Sequence, residues 1–298
     1  MSVFTGSAVA IVTPFHNDAD QTVNYDAFAE LLDFQIENGT DAIVVCGSTG
    51  ESATMSEEEH LEVCRFAVDY VKHRVPVIAG TGSNCTKTAA NLTEAIRGYG
   101  ADAALVITPY YNKGTQEGLY QHFRVVAEAG RGIPVLMYNV PSRTGVNLLP
   151  ETVARLVREV PDIVGIKEAC GDLSQIVKLM TLTDGKIDLY SGNDDQTVPI
   201  MAMGGLGVIS VVANVAPKKM HDLCAAFQAG DLAAARALQL ETEELFECLF
   251  SEVNPIPVKK AVSLMGFAAG PLRLPLTEMT PAKAEKMAEA MKKLGVLQ

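Results

Sequence analysis

The sequence predicts an α/β fold in which eight parallel strands alternate with helices and close into a barrel. Two observations support this prediction: short continuous apolar runs recur along the chain, and segments with helical start and stop signals separate them. Apolar runs without polar alternation are typical of parallel strands that are covered on both faces. Eight strand–helix units favour a (β/α)8, or TIM, barrel, and an open doubly wound sheet is the alternative.

The apolar runs are the expected strands, and the segments between them are the expected helices. The helix from Tyr25 ends before Gly39, Ser56 to Glu59 spells a capping box, and Pro150 and Thr280-Pro281 suit helix starts. The eight expected strands are Ala8 to Val12, Ala42 to Cys46, Pro76 to Ala79, Ala103 to Ile107, Pro134 to Tyr138, Ile163 to Lys167, Ile187 to Tyr190 and Gly207 to Val211.

The pattern changes near Pro217 to helical sequence that is rich in Ala, Glu, Lys and Met. We therefore expect a catalytic barrel over residues 1–225 and a small C-terminal helical region over residues 226–298. The length of 298 residues suits one barrel with such an appendage.

Composition and charge exclude several classes of protein. Hydrophobic residues make up 48% of the chain and charged residues 20%, which describes a chain able to bury a large core. A formal net charge of −12 argues against nucleic-acid binding, which needs a basic face. No apolar run reaches membrane-spanning length, and the N-terminus lacks the basic region of a signal peptide. We expect a cytoplasmic protein whose six cysteines are reduced.

Lys167 is the most informative residue of the sequence. It closes a strand that is expected to be buried on both faces, where an unpaired ammonium is costly. Burial lowers the pKa of such a lysine, and a neutral amine forms Schiff bases with carbonyl substrates. The structural alternative is an ion pair between Lys167 and Glu168 or another carboxylate.

Loops after neighbouring strands offer groups for binding an anion and for moving protons. The loop Gly47 to Ser52 can present backbone N–H groups to a carboxylate, although an ordinary glycine-serine turn explains it equally well. Tyr138 ends the fifth run, and Arg143 carries the planar donor fork that carboxylates prefer. Taken singly, both are as well explained by packing or solvation. Tyr138 and Arg143 become stronger candidates for a functional role because they are expected to lie near Lys167.

Nucleotide and metal chemistry find little support in the sequence. The segment Gly80 to Asn84 lacks the third glycine of a dinucleotide fingerprint and the lysine of a P-loop. No HExxH or GxSxG motif is present. We therefore expect no metal and no cofactor. Paired ligand spacing is also missing from the five histidines, His16, His60, His73, His122 and His221.

Four motifs, each at the end of an expected strand, resemble the pyruvate-dependent Schiff-base aldolase and lyase family. They are GSTGES at 47 to 52, TPYYNKGTQEGLYQHF at 108 to 123, YNVPSRTG at 138 to 145 and GIKEA at 165 to 169. The resemblance covers essentially the whole chain. It implies a lyase that condenses pyruvate with L-aspartate 4-semialdehyde, in lysine and diaminopimelate biosynthesis, without a metal or an organic cofactor.

The resemblance also implies how pyruvate is held. Lys167 condenses with the ketone, and the backbone amides of Ser48 and Thr49 hold the carboxylate. Gly192 and Ile209 resemble residues that shape the pyruvate pocket.

For the second substrate, the resemblance implies a proton relay from Tyr138 through Thr49 to Tyr111. Arg143 binds the carboxylate of the semialdehyde. In the family Tyr111 reaches across a dimer interface, and two such dimers form a homotetramer.

A regulatory site is the last feature that the resemblance implies, since many relatives bind L-lysine at the dimer interface. Glu57 stands here in place of a histidine and Thr88 in place of a glutamate, so we expect weak or absent inhibition. The matching positions are Ser52, Ala53, Glu57, His60, Asn84, Thr88 and Tyr110.

Two other functions stay open at this point. A lyase of the same family that releases pyruvate from N-acetylneuraminate or a sugar acid is favoured by Ser48, since the condensing members more often carry Thr there. Arg143, Glu168-Ala169 after the lysine and the segment Tyr110 to Asn112 disfavour it. A non-catalytic binding protein on the same barrel would not trap pyruvate at all.

Overall fold

Eight parallel strands form a closed barrel in the computed structural model, which describes residues 2–297. Each strand pairs with the next along the chain, and β1 pairs with β8 to close the barrel. The predicted fold class is therefore confirmed, and the open sheet is excluded. The strands are β1 Gly6–Ala10, β2 Ala42–Val45, β3 Val77–Gly80, β4 Ala103–Ile107, β5 Val135–Asn139, β6 Ile163–Glu168, β7 Asp188–Ser191 and β8 Gly207–Ser210.

Each of the eight predicted runs overlaps one strand, but several ends differ by one or two residues. The first run was expected to end at Val12, whereas β1 ends at Ala10. Ile11 and Val12 are nevertheless buried. Apolar composition reports burial, and it does not show where the hydrogen-bonded ladder stops.

Helices follow the strands around the outside of the barrel. They are α1 Tyr25–Glu37, α2 Glu57–Val71, α3 Thr86–Tyr99, α4 Gln116–Ala129, α5 Pro141–Thr144, α6 Pro150–Glu159, α7 Leu173–Leu182, α8 Thr197–Ala202 and α9 Pro217–Gln228. The C-terminal helices are α10 Leu232–Glu241, α11 Glu243–Leu249, α12 Ile256–Leu264 and α13 Pro281–Lys293. None of those within residues 2–297 is both long enough and apolar enough to cross a membrane.

The helix signals in the sequence are confirmed with one correction. Pro150 is the first residue of α6, and Thr280 precedes α13. The Ser56 hydroxyl accepts from the Glu59 amide at 3.2 Å, as an N-cap does. The other half of the predicted capping box is wrong, because the Glu59 carboxylate accepts from the Arg273 guanidinium instead, at 2.7 Å from Nη2.

The buried hydrophobic residues form two clusters, one inside the barrel and a larger one outside the strands. Ala8 and Ala10 of β1 face a small interior cluster with Ile209 and Tyr138, whereas Val9 between them packs in the larger outer cluster. The strands therefore alternate in facing although both faces are apolar. This packing leaves the carboxyl ends of the strands and their loops to build a site.

The C-terminal helical region packs back onto the barrel. The predicted boundary between residues 225 and 226 falls inside α9, so that division remains a prediction. A buried ion pair joins the region to the loop after β2, with Lys259 Nζ of α12 at 2.6 Å from Glu51 Oε1. The C-terminal region thereby fixes one side of the candidate site.

Candidate active site

Lys167 lies near the carboxyl end of β6 and is 5% exposed. It is in register with Tyr138 on β5 and Tyr190 on β7, and its Nζ lies 4.4 Å from the centroid of the Tyr138 ring. Desolvation by burial lowers the pKa of Lys167 to about 8, although the charge of Asp194 opposes this shift. A useful fraction of the amine is therefore neutral near pH 7.

The alternative of an ion pair between Lys167 and Glu168 is wrong. Consecutive strand residues point to opposite faces, and Glu168 points away from Lys167. Its Oε1 accepts from Asn139 Nδ2 at 2.9 Å and from the Cys170 amide at 3.0 Å. Within residues 2–297 Lys167 has no carboxylate partner at ion-pair distance.

The loop after β2 presents two free backbone donors. The amides of Gly50 and Glu51 turn inward to the carbonyls of Gly47 and Ser48, at 3.1 and 3.3 Å. Those of Ser48 and Thr49 have no acceptor among the residues that the structure describes. Two adjacent N–H groups of this kind can bind a carboxylate, and this cradle for an anion remains a prediction.

Asn254 joins the two sides of the site, and sequence reasoning did not find it. Its side-chain Nδ2 donates to Thr49 Oγ1 at 3.0 Å, while its backbone carbonyl accepts from Arg143 Nη2 at 3.1 Å. Thr49 and Asn254 are 205 residues apart in the chain, and no local pattern links them. The C-terminal region therefore holds both the cradle loop and the arginine in place.

Asp194, also missed, is a buried acid beside the lysine. It accepts from the amides of Val211 and Val212, at 3.0 and 3.3 Å, and from the Ser210 hydroxyl. Its charge favours the ammonium form of Lys167. Its place directly after β7, where a barrel site is expected, was the signal that could have found it.

Tyr138 is buried, and desolvation raises the pKa of its phenol to about 12. The phenol is therefore protonated at neutral pH. No hydrogen bond joins its hydroxyl to Thr49 within residues 2–297. Tyr111 has a left-handed backbone (φ 72°) and is 86% exposed, so it does not pack inside its own subunit. The relay between these residues remains a prediction.

A cavity of about 630 Å³ brings most of the predicted site residues together. Gly192 is part of its wall, and a Cβ there would lie 3.1 Å from Lys167 Cε, so a side chain would crowd the amine. Ile209 is fully buried inside the barrel and does not line the cavity. The predicted residues that line it are Ser48, Thr49, Tyr138, Arg143, Lys167 and Gly192.

A second cavity of about 570 Å³ adjoins the first and is lined by six of the seven predicted effector positions. Glu57 and Thr88, which depart from the family pattern, touch one another, with Thr88 Oγ1 donating to Glu57 Oε1 at 3.2 Å. Asn84 does not line the cavity, and its carbonyl accepts from Asn112 at 2.7 Å. The positions that line it are Ser52, Ala53, Glu57, His60, Thr88 and Tyr110.

The barrel and the site together define an enzyme of the class I aldolase kind, which bonds a carbonyl substrate to a desolvated lysine. A family model described as the Dihydrodipicolinate synthetase family matches residues 3–294. The chain belongs to this family.

Named relatives agree with this assignment over their full lengths. The 4-hydroxy-tetrahydrodipicolinate synthase of Lachnoclostridium phytofermentans is 55% identical over 297 residues, covering 100% of both chains. The crystal structure of dihydrodipicolinate synthase from Aquifex aeolicus has a TM-score of 0.95 and 44% identity, covering 98% of this chain and 99% of that one. The structure of DHDPS from Cyanidioschyzon merolae with lysine bound has a TM-score of 0.96 and 38% identity, covering 100% of both.

Proposed function

We propose that this chain condenses pyruvate with L-aspartate 4-semialdehyde through a Schiff base on Lys167 to give 4-hydroxy-tetrahydrodipicolinate. The observation that carries the proposal is the desolvated amine of Lys167, which shares one cavity with two free backbone amides and an arginine. The relatives named above are synthases for this reaction, and none of them is an N-acetylneuraminate lyase.

The first half of the reaction uses Lys167 and the cradle loop. The neutral amine attacks the ketone of pyruvate while the amides of Ser48 and Thr49 hold its carboxylate, and loss of water gives the imine. The protonated imine withdraws electrons, so a methyl proton leaves and an enamine forms. The lysine itself supplies the electron sink, and the reaction as written needs no further cofactor.

The second half of the reaction uses Tyr138 and Arg143, which also line the cavity. The enamine carbon attacks the aldehyde, and Tyr138 gives a proton to the oxygen that becomes a hydroxyl. The amino group of the semialdehyde then displaces Lys167 in closing the ring, which regenerates the free amine. Arg143 has one Nη2 contact with Asn254, and its remaining donors are available for the semialdehyde's carboxylate.

Tyr111 supports a dimer in which each subunit completes the partner's proton relay. The Tyr111 ring is exposed and its backbone is left-handed, which supports a contact between this phenol and a partner subunit. We expect Tyr111→Phe to lower kcat without changing the fold, and two dimers to assemble into a tetramer. Steady-state kinetics measures kcat, circular dichroism checks the fold, and sedimentation measures the assembly. A monomer with full activity would contradict the arrangement.

Reductive trapping tests the function most directly. Borohydride reduction in the presence of pyruvate is expected to leave an adduct on the peptide that contains Lys167, located by mass spectrometry. Lys167→Arg keeps the charge but removes the nucleophile, so the adduct is expected to vanish, whereas Lys186→Arg at an exposed position serves as the control. An adduct on another lysine would overturn the assignment. Consumption of the semialdehyde would indicate the proposed condensation. Release of pyruvate from N-acetylneuraminate would indicate the other lyase function.

A further inference from the structure

Three side chains that the proposed mechanism does not use meet behind the carboxyl end of β2. Cys46 directly follows β2, while His60 and Cys64 lie one turn apart on α2. All three are buried, and one ligand atom from each lies within 4.8 Å of the others. Among residues 2–297 this is the one group of three or more His, Cys, Asp or Glu ligand atoms at that spacing.

The ring of His60 already has the orientation of a metal ligand. Its Nε2 lies 2.7 Å from the carbonyl oxygen of Gly80, so Nε2–H donates and Nδ1 keeps a free lone pair. Histidines that bind metals almost always donate their other ring N–H to such an acceptor, which fixes the tautomer. His60 therefore has its outer hydrogen bond in place before any ion binds.

The pKa values of the two thiols shift in opposite directions. Contact with Cys46, and then with His60, lowers the pKa of the Cys64 thiol, while contact with Cys64 raises the pKa of the Cys46 thiol. Cys46 Sγ lies 3.7 Å from the His60 carbonyl, as a weak S–H donor. Two cysteine thiolates and a neutral imidazole are ligands that soft d10 cations prefer.

The cluster has an entry route from the effector cavity. Cys46 and His60 line that cavity of about 570 Å³, whereas Cys64 lies behind them. Tetrahedral Zn–S and Zn–N bonds place ligand atoms roughly 3.5–3.8 Å apart. Atoms that lie within 4.8 Å of one another therefore need to close by at most about 1.3 Å to reach that geometry.

We propose that Cys46, His60 and Cys64 form a binding site for a thiophilic d10 cation, of the class of Zn²⁺, Cd²⁺ or Cu(I). Cys46 and Cys64 bind as thiolates and lose their protons to solvent as the cation binds, and His60 binds through Nδ1. Water from the cavity supplies the fourth ligand. The site does not depend on the proposed lyase function, so either can fail without the other.

Titration with Cd²⁺ tests the site through the thiolate-to-cadmium absorption in the ultraviolet. The background protein carries Cys85→Ser and Cys170→Ser, which remove the two thiols that are not buried. One Cd²⁺ per chain is expected to bind, with release of protons from the thiols. Cys64→Ala is expected to weaken binding by at least about tenfold, the lower bound known for changes in outer-shell partners.

The matched control is Cys224→Ala, because Cys224 is also fully buried on a helix but lies outside the cluster. It is expected to leave the affinity for Cd²⁺ unchanged. Circular dichroism checks that each variant folds. If Cys64→Ala does not fold, His60→Gln provides a second test of the site. Absence of the absorption in the background protein would overturn the proposal, as would full binding by folded Cys64→Ala or His60→Gln.

Discussion

The pH dependence of Schiff-base formation follows from the burial of Lys167. Desolvation places the pKa of its ammonium at about 8, against an ordinary value of 10.5. At pH 7 an amine with a pKa of 8 is about 9% neutral, whereas one with a pKa of 10.5 is about 0.03% neutral, a difference of roughly 300-fold. Since only the neutral amine attacks the ketone, we expect the trapping rate to rise about tenfold per pH unit below pH 8 and to level off above it.

The assay measures the initial rate of cyanoborohydride trapping on the Lys167 peptide between about pH 6 and pH 10. Free Nα-acetyllysine in the same solution reports an amine of ordinary pKa. Asp194→Asn removes the charge that raises the pKa of Lys167, so the rate is expected to level off at a lower pH. Asp195→Asn, at the next position, is the matched control. A rate that rises up to about pH 10.5, or an upward shift in Asp194→Asn, would refute the reasoning.

Three further predictions concern the proton donor, the buried ion pair and the effector cavity. Tyr138→Phe is expected to lower kcat by about 10²- to 10⁴-fold with little change in the pyruvate KM, and a matching rise in KM would contradict a proton-transfer role. Lys259→Met leaves the Glu51 carboxylate buried without its 2.6 Å partner, so denaturant unfolding should show a loss of about 3–5 kcal/mol. The double variant with Glu51→Leu should recover most of that loss, and a loss below about 1 kcal/mol in the single variant would argue against this account. Thr88→Glu adds a carboxylate beside Glu57 and should strengthen any inhibition by L-lysine about ten- to a hundredfold, whereas Thr88→Gln should not. Micromolar inhibition of the unaltered enzyme in a dose-response assay would show that the substitutions at these two positions do not matter.

Much of the candidate site could be predicted because barrel chemistry follows strand ends. Lys167, Tyr138 and the loop Gly47 to Ser52 all come directly after or within apolar runs, and parallel strands bring such positions to one end of the barrel. The six predicted residues that line the cavity share this property. Ile209 lies inside the barrel instead, since the sequence does not report which way each residue of a continuous apolar strand faces.

The contacts that required the tertiary structure join residues far apart in the chain. Asn254 contacts Thr49 and Arg143, and no local pattern indicates such a pairing. The cluster of Cys46, His60 and Cys64 was missed for the same reason, since only one pair of its members lies at helical spacing. The partner of Glu59 was predicted from local capping rules, but Arg273 competes successfully for its carboxylate.

The sequence by itself determined the number and order of the strands, the helix starts and the lysine that carries the proposed chemistry. These depend on local apolar patterns and on short-range capping, which neighbouring residues encode. The tertiary structure alone decided the hydrogen-bond partners of Glu168, the effect of the Asp194 charge on Lys167 and the link from the C-terminal region to the cradle loop. Desolvation and long-range hydrogen bonds depend on which distant segments come together, and only the closed barrel fixes that.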